Sequence, residues 1–384
     1  MKKKICVVVS SRANYSSIKS AMKAIDSHEG LELILLVGAS AIIDRYGSVI
    51  DLIKEDGFKP NGIFHMLIEG CNPTTMAKST GLGLIELPNL FERFKPDIVL
   101  TVGDRFETMA TTLAATYMNI PLAHTMGGEV SGTIDESIRH AVTKFAHIHF
   151  PACEGAKERI IRLGEDPSHV HMVGCPRIDL VANILNNEDL NINASLFSSG
   201  VGGVFELNKP FVLVSQHPVT TEYGEGEKQI TMTLEAVQEL QLPSIILWPN
   251  ADAGSDDISR GIRTWREQKK DTDMHFFKNL PIQDYVFLMK KTACLVGNSS
   301  SGIREGAFIG TPVVNIGSRQ NARDRGNNVL DVEYSKDEIF NGIKKQINHN
   351  KYESETIYGD GNAGKKIAEI LYSENVNIQK KITY

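Results

Sequence analysis

Three carboxylates lie within residues 124–140, HTMGGEVSGTIDESIRH, directly after an apolar run: Glu129, Asp135 and Glu136. Asp104, in GDRFE, follows an earlier apolar run and adds a fourth. Clustered carboxylates raise one another's pKa, and a protein can obtain an acid and a base near neutral pH in this way. These residue types are therefore typical of proton transfer. A helix cap with an ion-pair network would use the same types, so both interpretations stay open.

The stretch VGNSSSGIREGA (296–307) indicates a helix that starts directly after a buried strand. The free N–H groups and positive dipole end of such a helix suit a phosphate, and Ser299 and Ser300 can add hydroxyl donors. Ordinary N-capping by serine is the alternative, but three serines between two glycines exceed what a cap requires. The chain has no G-x-x-x-x-G-K-[ST] motif and no G-x-G-x-x-G after its first apolar run. A P-loop NTPase is therefore not indicated, and a dinucleotide site is disfavoured.

Two arginines and a histidine follow other apolar runs. Arg12 in SSRANYS and Arg105 in GDRFE fall at predicted strand-to-helix turns. A guanidinium at such a turn can clamp a diphosphate through paired hydrogen bonds, and a salt bridge is the alternative. His217 in QHPVT can donate a hydrogen bond to a phosphate or carry a proton.

Four histidines are paired at strand spacing, His147 with His149 and His169 with His171. Such pairs can ligate a metal, but these lie inside predicted strands and no acidic or cysteine partner stands at ligand spacing. We therefore predict a structural role for them and no metal site.

The candidate residues are positioned by short apolar runs that alternate with amphipathic segments along the chain. The runs predict buried strands at 5–9, 31–37, 96–102, 120–124, 147–150, 169–174, 211–215, 244–248, 274–277, 293–297, 312–316 and 328–332. Segments between them, such as 75–94 and 105–118, have helical periodicity. The alternation predicts an α/β fold with two doubly wound domains in tandem.

The stretch 186–208 is rich in Asn, Ser and Gly and interrupts this alternation. It is predicted to link a first domain, 1–185, to a second, 209–365. In open α/β sheets, ligands bind outside the carboxyl ends of the strands. All the polar clusters described above follow predicted strands, so with two domains we expect the ligand in the cleft between them.

Length, charge and cysteine usage indicate a soluble cytoplasmic protein. The 384 residues are enough for about two domains. A net charge of −6 argues against a nucleic-acid or anionic-membrane partner. No apolar run reaches transmembrane length, and the N-terminus does not resemble a signal peptide. The five cysteines form no C-x-x-C pair, which predicts buried, reduced thiols.

Eight motifs along the chain resemble, in the same order, those of hydrolysing UDP-N-acetylglucosamine 2-epimerases: SRANYS, GDRFE, GGEVSGTIDESIRHAVTK, QHPVTT, PNADAGS, GNSSSGIRE, GTPVVNIGSRQ and YGDGNA. Within that family, the chain most resembles the epimerase domain of the animal bifunctional sialic-acid enzyme and its bacterial counterparts in sialic- and legionaminic-acid pathways. The resemblance implies a glycosyltransferase-B-like fold, with two Rossmann-like domains and the nucleotide sugar in the cleft between them. The last helix, 366–384, would cross back onto the first domain. Non-hydrolysing relatives have an HRRE-like motif where this chain has QHPVT, which favours the hydrolysing branch.

The resemblance implies that UDP is eliminated across C1–C2 of UDP-N-acetylglucosamine to give a glycal. Water addition with inversion at C2 then releases N-acetylmannosamine and UDP for sialic-acid-type sugar biosynthesis, without a metal or nicotinamide cofactor. Residues implied to bind the phosphates or the sugar are Arg12, Ser16, Arg105, His217, Ser299 and Ser300. Glu305 and Arg319 would bind the nucleotide side, and Asn250 would lie near the sugar. The implied acid/base residues are Asp104, Asp135 and His217, supported by His124 and His140.

Three positions depart from the family pattern and put the substrate in doubt. Met126 stands where many members have an acidic residue, and because a thioether cannot transfer a proton we assign its role to Glu129. Ala41 and Asn14 replace a common histidine and aspartate. The alternative substrate is UDP- or GDP-2,4-diacetamido-2,4,6-trideoxyglucose, as in legionaminic acid pathways.

Other functions and partners also stay open. A glycosyltransferase on the same fold would need an acceptor, and a non-catalytic nucleotide-sugar sensor would bind without turnover. Family members are homodimers or homotetramers. Arg260 and Arg263 fall where animal enzymes bind CMP-sialic acid as an inhibitor, although a solvated helix face would look the same.

Overall fold

The computed structural model describes residues 2–70, 73–131, 134–187, 196–249, 254–269, 273–278 and 280–383. The strands in these residues are β1 (Lys3–Val9), β2 (Leu31–Gly38), β3 (Gly62–Phe64), β4 (Ile98–Val102), β5 (Leu122–Thr125), β6 (Ile148–Phe150), β7 (Val201–Gly202), β8 (Val212–Ser215), β9 (Ser244–Leu247), β10 (Met274–Phe277), β11 (Cys294–Gly297), β12 (Val313–Ile316) and β13 (Val329–Val332). The α-helices are α1 (Arg12–Ser16), α2 (Lys19–Ser27), α3 (Val49–Glu55), α4 (Pro73–Phe94), α5 (Phe106–Tyr117), α6 (Asp135–Phe145), α7 (Glu154–Arg162), α8 (Pro176–Leu185), α9 (Gly226–Glu239), α10 (Ser255–Gln268), α11 (Ile282–Lys291), α12 (Ser300–Ile309), α13 (Lys336–His349) and α14 (Ala363–Ser373).

The chain divides into two compact units. The first combines Met1–Val130 and Ile134–Leu180 with the C-terminal segment Tyr358–Tyr384, and the second is built mainly from Val181–Ile357. Residues 188–195 of the predicted linker 186–208 lie outside the described residues, and the predicted domain boundaries stay a prediction.

The first unit has a sheet with the strand order β3-β2-β1-β4-β5-β6. Its strand pairs are all parallel within the described residues. The central strands are almost entirely apolar and buried, as expected when helices cover both faces of a parallel sheet. The order reverses beside β1, so the carboxyl ends of β1 and β4 lie at the switch point where α/β sheets bind ligands.

The second unit has the strand order β13-β12-β11-β8-β9-β10-β7. Its described strands are parallel, apart from the short β7, which pairs antiparallel with β10. The order reverses beside β8 and β11, which precede the motifs QHPVT and GNSSSG. Two parallel sheets with intervening helices confirm the predicted α/β class.

The predicted strands are confirmed except at 169–174. There, Val170 makes a single bridge to His149, and the following residues form no continuous ladder. Val170 and Val173 are buried, and the N–H groups of His171 (2.9 Å) and Val173 (3.3 Å) donate to the carbonyls of His149 and Pro151, so the segment follows β6 without forming a regular strand. Two short strands, β3 and β7, were not predicted because each is at most three residues long. The helices predicted at 75–94 and 105–118 are confirmed as α4 and α5.

The C-terminal helix α14 belongs to the first unit and packs against α2. Asp179 of α8 accepts hydrogen bonds from the backbone N–H groups of Ala363 (2.9 Å) and Gly364 (2.7 Å). These bonds satisfy two of the orphan donors at the start of α14. The helix ends at Ser373, earlier than the predicted span 366–384.

Among the described residues, no helix has the length and apolar character needed to cross a membrane. Four cysteines, Cys6, Cys153, Cys175 and Cys294, are buried and free. Cys71 lies outside the described residues.

Candidate active site

A buried arginine joins two of the predicted acidic residues at the carboxyl edge of the first sheet. Arg139 on α6 is 1% exposed and hydrogen-bonds the Asp104 carboxylate through Nη2. Its Nη1 donates to the backbone carbonyl of Glu129 at 2.6 Å. The Asp104 side chain keeps 26% of its surface exposed, whereas Glu129 is buried. The arrangement therefore presents one accessible carboxylate backed by a buried positive charge.

His124 holds the turn that leads into Asp104. Its ring is fully buried, and Nε2–H donates to the carbonyl of Gly103 at 2.8 Å. Burial lowers the pKa of His124 to about 3, so the ring is neutral near pH 7. Such a histidine orients the backbone beside Asp104 and does not act as a proton donor at neutral pH.

The first turn of α6 contains Asp135 and Glu136. Asp135 precedes Arg139 by four residues, so the two side chains share one face of the helix. His140 Nε2 lies 3.7 Å from a carboxylate oxygen of Glu136. The pKa of His140 is lowered by burial and by the adjacent charge of Arg139. The predicted acid/base residues of this half are thus collected around α6. The helix begins at Asp135, but its N-cap is Ile134, which makes no side-chain cap hydrogen bond, so Asp135 is not a cap.

The segment Met126–Gly128 forms a tight turn between β5 and the acidic residues. Met126 has the left-handed φ of +61° and is 7% exposed, with its sulfur 3.9 Å from that of Cys175. A Cβ on Gly128, whose φ is +75°, would lie 2.2 Å from the carbonyl oxygen of Ala156. Close packing against α7 therefore requires glycine there.

Arg12 and Ser16 lie in the short helix α1 that follows β1, and Arg105 lies at the turn between β4 and α5. Ser11 caps α1, so Arg12 begins that helix at the end of β1. Arg105 Nε lies 3.3 Å from Glu107, a buried carboxylate on α5, while the Arg105 side chain is 38% exposed. The salt-bridge alternative therefore holds for Arg105, and its exposure still permits ligand contact.

In the second unit, Asn298 joins the motifs after β8, β11 and β12. Its Oδ1 accepts from the N–H of His217 (2.7 Å), and its Nδ2 donates to the His217 carbonyl (2.9 Å). The backbone carbonyl of Asn298 accepts from Arg319 (3.2 Å) and Gln320 (2.9 Å). One buried asparagine, through its side chain and its backbone carbonyl, thus brings together His217 and Arg319, which are about 100 residues apart in the sequence.

The predicted helix start after β11 is confirmed, since Ser299 is the N-cap of α12 and accepts from the N–H of Ser301. Ser300 begins the helix and is partly exposed, while Glu305 is buried one turn further on. Gly297 has φ +131°, and a Cβ there would lie 2.2 Å from the Ser215 carbonyl oxygen. Strand packing explains this glycine, and Ser299 serves as the helix cap, while phosphate binding by Ser299 and Ser300 at this helix N-terminus stays a prediction.

Two further predictions concern α10 and the residues before it. Asn250 lies outside the described residues. Arg260 is paired with Glu227 (3.0 Å) and Asp257, and the guanidinium of Arg263 lies 5.9 Å from the centre of the Trp248 ring. These contacts describe a solvated, ion-paired face, and a nucleotide effector there stays a prediction.

The paired histidines form contacts within the first unit. His149 and the ammonium groups of Lys144 and Lys380 all bond the buried Glu165 carboxylate. His147 donates to the carbonyl of Ile378 at 3.0 Å, and His169 bonds Glu374. The histidines thus attach the segment after α14 to the body of the unit. Across the described part of the chain, no cluster of three His, Cys, Asp or Glu side chains is arranged to hold a metal ion.

Comparison with known proteins identifies the family. A family model described as UDP-N-acetylglucosamine 2-epimerase matches residues 23–372. The chain belongs to the UDP-N-acetylglucosamine 2-epimerase family. This confirms the resemblance recognised from the eight motifs.

Two relatives within this family match nearly the whole chain. A UDP-N,N'-diacetylbacillosamine 2-epimerase (hydrolysing) from Legionella pneumophila is 33% identical, with 97% of this chain and 96% of the relative covered. A UDP-N-acetylglucosamine 2-epimerase from Neisseria meningitidis is 27% identical, with 99% and 98% covered.

Solved structures of the 2-epimerase family support the same fold. The Neisseria meningitidis UDP-GlcNAc 2-epimerase, crystallised with UDP-GlcNAc, has a TM-score of 0.81 and 19% identity, with 97% of this chain and all of that chain covered. The predicted fold class, two Rossmann-like domains of the glycosyltransferase-B-like type, is confirmed for this 2-epimerase.

Three residues with important contacts in this 2-epimerase were missed or misjudged from the sequence. In the sequence, Arg139 stands out only as an i+4 helix partner of Asp135, yet in the structure it binds Asp104. Asn298 lay unremarked between the named residues of GNSSSG. Arg177, in CPRID, donates from Nη1 to Ser16 Oγ at 2.7 Å. A polar or charged residue directly after a predicted strand was the available signal for Asn298 and Arg177, whereas Arg139 lies inside a helix and the sequence offers no such signal for it.

Proposed function

We propose that this protein is a hydrolysing 2-epimerase of a UDP-2-acetamido sugar. The observation that carries the proposal is the cluster of Asp104, Arg139 and Glu129 at the carboxyl edge of the first sheet, in a chain of this family. The reaction needs a base at C2 and positive or hydrogen-bonding groups that stabilise the departing diphosphate. The first unit supplies the base, and the second unit supplies groups for the diphosphate.

In the first step, Asp104 is the base that accepts the C2 proton. It is the accessible carboxylate of the cluster, and Arg139 supplies a fixed positive charge beside it. The electron pair of the C2–H bond forms the C1–C2 double bond, and the C1–O bond breaks with its electrons moving to the β-phosphate oxygen. A glycal and UDP result. Asp135 and Glu129 are the candidates for delivering the proton to C2 when water adds at C1.

The departing UDP is bound by residues of the second unit. The N-terminus of α12 offers N–H groups and the positive end of the helix dipole, and the Ser300 hydroxyl adds a donor. His217 and Arg319 contribute a polar side chain and a positive charge, both anchored by Asn298. Negative charge develops on this diphosphate as the C1–O bond breaks, so these donors favour the elimination. A ligand located between the two domains stays a prediction.

The relatives favour UDP-2,4-diacetamido-2,4,6-trideoxyglucose as the substrate. This sugar is N,N'-diacetylbacillosamine, and the Legionella pneumophila relative named for its UDP form is 33% identical to this chain. The Neisseria meningitidis relative named for UDP-N-acetylglucosamine is 27% identical. UDP-N-acetylglucosamine, with N-acetylmannosamine as product, is the second candidate. Both sugars have the same 2-acetamido group and diphosphate, so the same residues serve either reaction.

Incubation with each UDP-sugar in D2O, followed by proton NMR, tests the proposal. The expected products are UDP and the free 2-epimeric sugar with deuterium at C2. A UDP-linked 2-epimer would instead mean a non-hydrolysing epimerase. Release of UDP only with a sugar acceptor would mean a glycosyltransferase, and binding of both nucleotides without turnover would mean a sensor.

Replacement of Asp104 by Asn tests the assigned base. We expect D104N to lose at least about a thousandfold in kcat, because the amide cannot accept the C2 proton, while UDP affinity measured by calorimetry changes little. D51N, on the exposed face of α3 in the same unit, is the matched control and should retain activity. An equal loss of UDP binding in D104N would contradict the catalytic assignment.

A further inference from the structure

The carboxylate of Glu222 joins the loops that follow two strands of the second unit. Glu222 ends a short 3₁₀ turn, Thr220–Glu222, in the loop after β8. Its Oε1 accepts a hydrogen bond from the hydroxyl of Ser318, which lies in the loop after β12. Its Oε2 accepts from Nε2 of Gln229, a buried residue on α9, at 2.6 Å. One carboxylate is thus held by α9 and in turn holds the loop that contains Ser318.

The two loops that Glu222 joins are not neighbours in the sheet. The strand order β12-β11-β8 places β11 between them, and Asn298 follows β11 directly. Asn298 bonds His217 in the loop after β8 and Arg319 in the loop after β12. The bond between Glu222 and Ser318 therefore closes a ring, which runs from the first loop through Asn298 to the second loop and back.

Tyr334 packs against this ring. A Cβ on Gly317, whose φ is +70°, would lie 2.3 Å from Cε2 of Tyr334. The Tyr334 hydroxyl accepts from Nδ2 of Asn298 at 3.4 Å. Burial raises the pKa of Tyr334 to about 12, while the negative charge of Glu222 acts in the same direction and the positive charge of Arg319 opposes it. Both charges thus lie close to one partly desolvated hydroxyl.

The ring determines where the Arg319 side chain starts. Ser318 directly precedes Arg319, so a bond to the Ser318 hydroxyl also fixes the backbone from which the guanidinium extends. A loop that must become ordered when a ligand binds lowers the affinity, whereas a loop that is already held avoids this cost. Glu222 belongs to the second unit, and the groups assigned to proton transfer belong to the first. We therefore expect Glu222 to affect nucleotide affinity more than chemistry.

We propose that Glu222 is a positioning residue of the nucleotide site, which holds the Arg319 loop through Ser318 before the nucleotide binds. The inference rests on the proposed function and adds to it a residue that acts through another. Replacement of either partner removes the same bond between the loops. Replacement of both should therefore cost no more affinity than replacement of Glu222 alone.

Calorimetry with UDP tests this role without requiring turnover. We expect S318A and E222A each to bind UDP about tenfold more weakly, because the charge-assisted bond that holds the loop is lost. The double variant E222A/S318A should bind UDP no more weakly than E222A. E222Q keeps an oxygen that can accept from Ser318 and should retain most of the affinity. E225A, which removes an exposed carboxylate three residues further on, is the matched control and should bind like the wild type.

Steady-state kinetics with the UDP-sugar that the wild type hydrolyses separates positioning from chemistry. We expect the KM of S318A to rise about tenfold while kcat falls less than about threefold, because nucleotide binding is weakened in the ground state and the transition state alike. A large loss of kcat with unchanged KM would contradict the proposal. A residue that served only the fold would lower the free energy of unfolding and leave the UDP affinity of the folded protein unchanged.

Wild-type UDP affinity in folded E222A and S318A would overturn the proposal, as would fully additive losses in the double variant. If E222A does not fold, S318A still decides, because it removes a single hydroxyl and wild-type affinity there would also overturn the proposal. Failure of the proposed function looks different: the wild type would bind UDP in a Ser318-dependent manner but release no free sugar from either UDP-sugar.

Discussion

Asn298 holds two sequence motifs together through its side chain and its backbone carbonyl. Its amide bonds both backbone groups of His217, and its own carbonyl accepts from the loop that contains Arg319. Replacement by Ala would leave the His217 N–H and carbonyl without these partners in a buried environment. We expect N298A to lose about 1–3 kcal/mol of unfolding free energy in urea. We also expect its UDP affinity to fall more than its kcat for hydrolysis.

N327A is the control, since the exposed Asn327 bonds the Glu355 carboxylate in the same unit. Stability and UDP affinity equal to wild type in N298A would show that the His217 loop is held by other contacts. Met126 stands where many family members have an acidic residue, and its thioether cannot transfer a proton. Activity does not require an acid at that position, because Asp104 and Glu129 lie beside the buried Arg139 and supply carboxylates there.

At the scale of elements, close packing against α7 fixes the backbone conformation of the turn after β5. Gly128 needs glycine both for its φ of +75° and because a Cβ would meet the carbonyl oxygen of Ala156 at 2.2 Å. Gly57 has a comparable φ of +91° but open space around it. We expect G57A to cost about 1 kcal/mol from backbone conformation alone. G128A should cost about 1–3 kcal/mol more, because the turn must move away from α7.

Urea unfolding of both variants measures this difference, and the rate of UDP release reports whether the turn still positions Glu129. Equal destabilisation in the two variants would contradict a packing role for the turn. G128A should also lose activity, whereas G57A should keep it, because Gly57 lies outside the acidic cluster.

At the scale of the whole molecule, buried neutral histidines predict destabilisation by acid. Burial lowers the pKa of His149 to about 4 and that of His124 to about 3, while each is near 6.5 when the chain unfolds. Between these values the unfolded state binds more protons, so the unfolding free energy falls as the pH drops below 6.5. His149 alone should account for about 3 kcal/mol by pH 4.

Glu165 adds to this effect at lower pH. Burial acts to raise its pKa, but hydrogen bonds from His149, Lys144 and Lys380 outweigh burial and bring it to about 2. The stability that comes from this depressed pKa is complete above about pH 4.5 and is lost as the pH falls toward 2. Lys380, in the segment after α14, pairs with Glu165. Protonation of Glu165 therefore also weakens the attachment of this segment.

Urea unfolding from pH 7 to pH 5 tests the histidine contribution. H149Q can still donate to Glu165 but cannot be protonated, so its unfolding free energy should fall less than that of wild type over this range. H349Q, which changes an exposed histidine on α13, should leave the slope unchanged. An H149Q slope identical to wild type would contradict the assignment.

The alternation of apolar runs determined the two α/β domains, because buried parallel strands and amphipathic helices have different periods that can be read locally. The residues after those runs, such as Asp104, Arg12 and Ser299, could be selected because strand ends collect functional side chains. The residues with which they form contacts could not be selected from the sequence. Arg139 with Asp104, Asn298 with His217 and Arg177 with Ser16 are separated by 35, 81 and 161 residues. Only the tertiary structure decides which strand ends become neighbours, and hence which charges meet and which are buried.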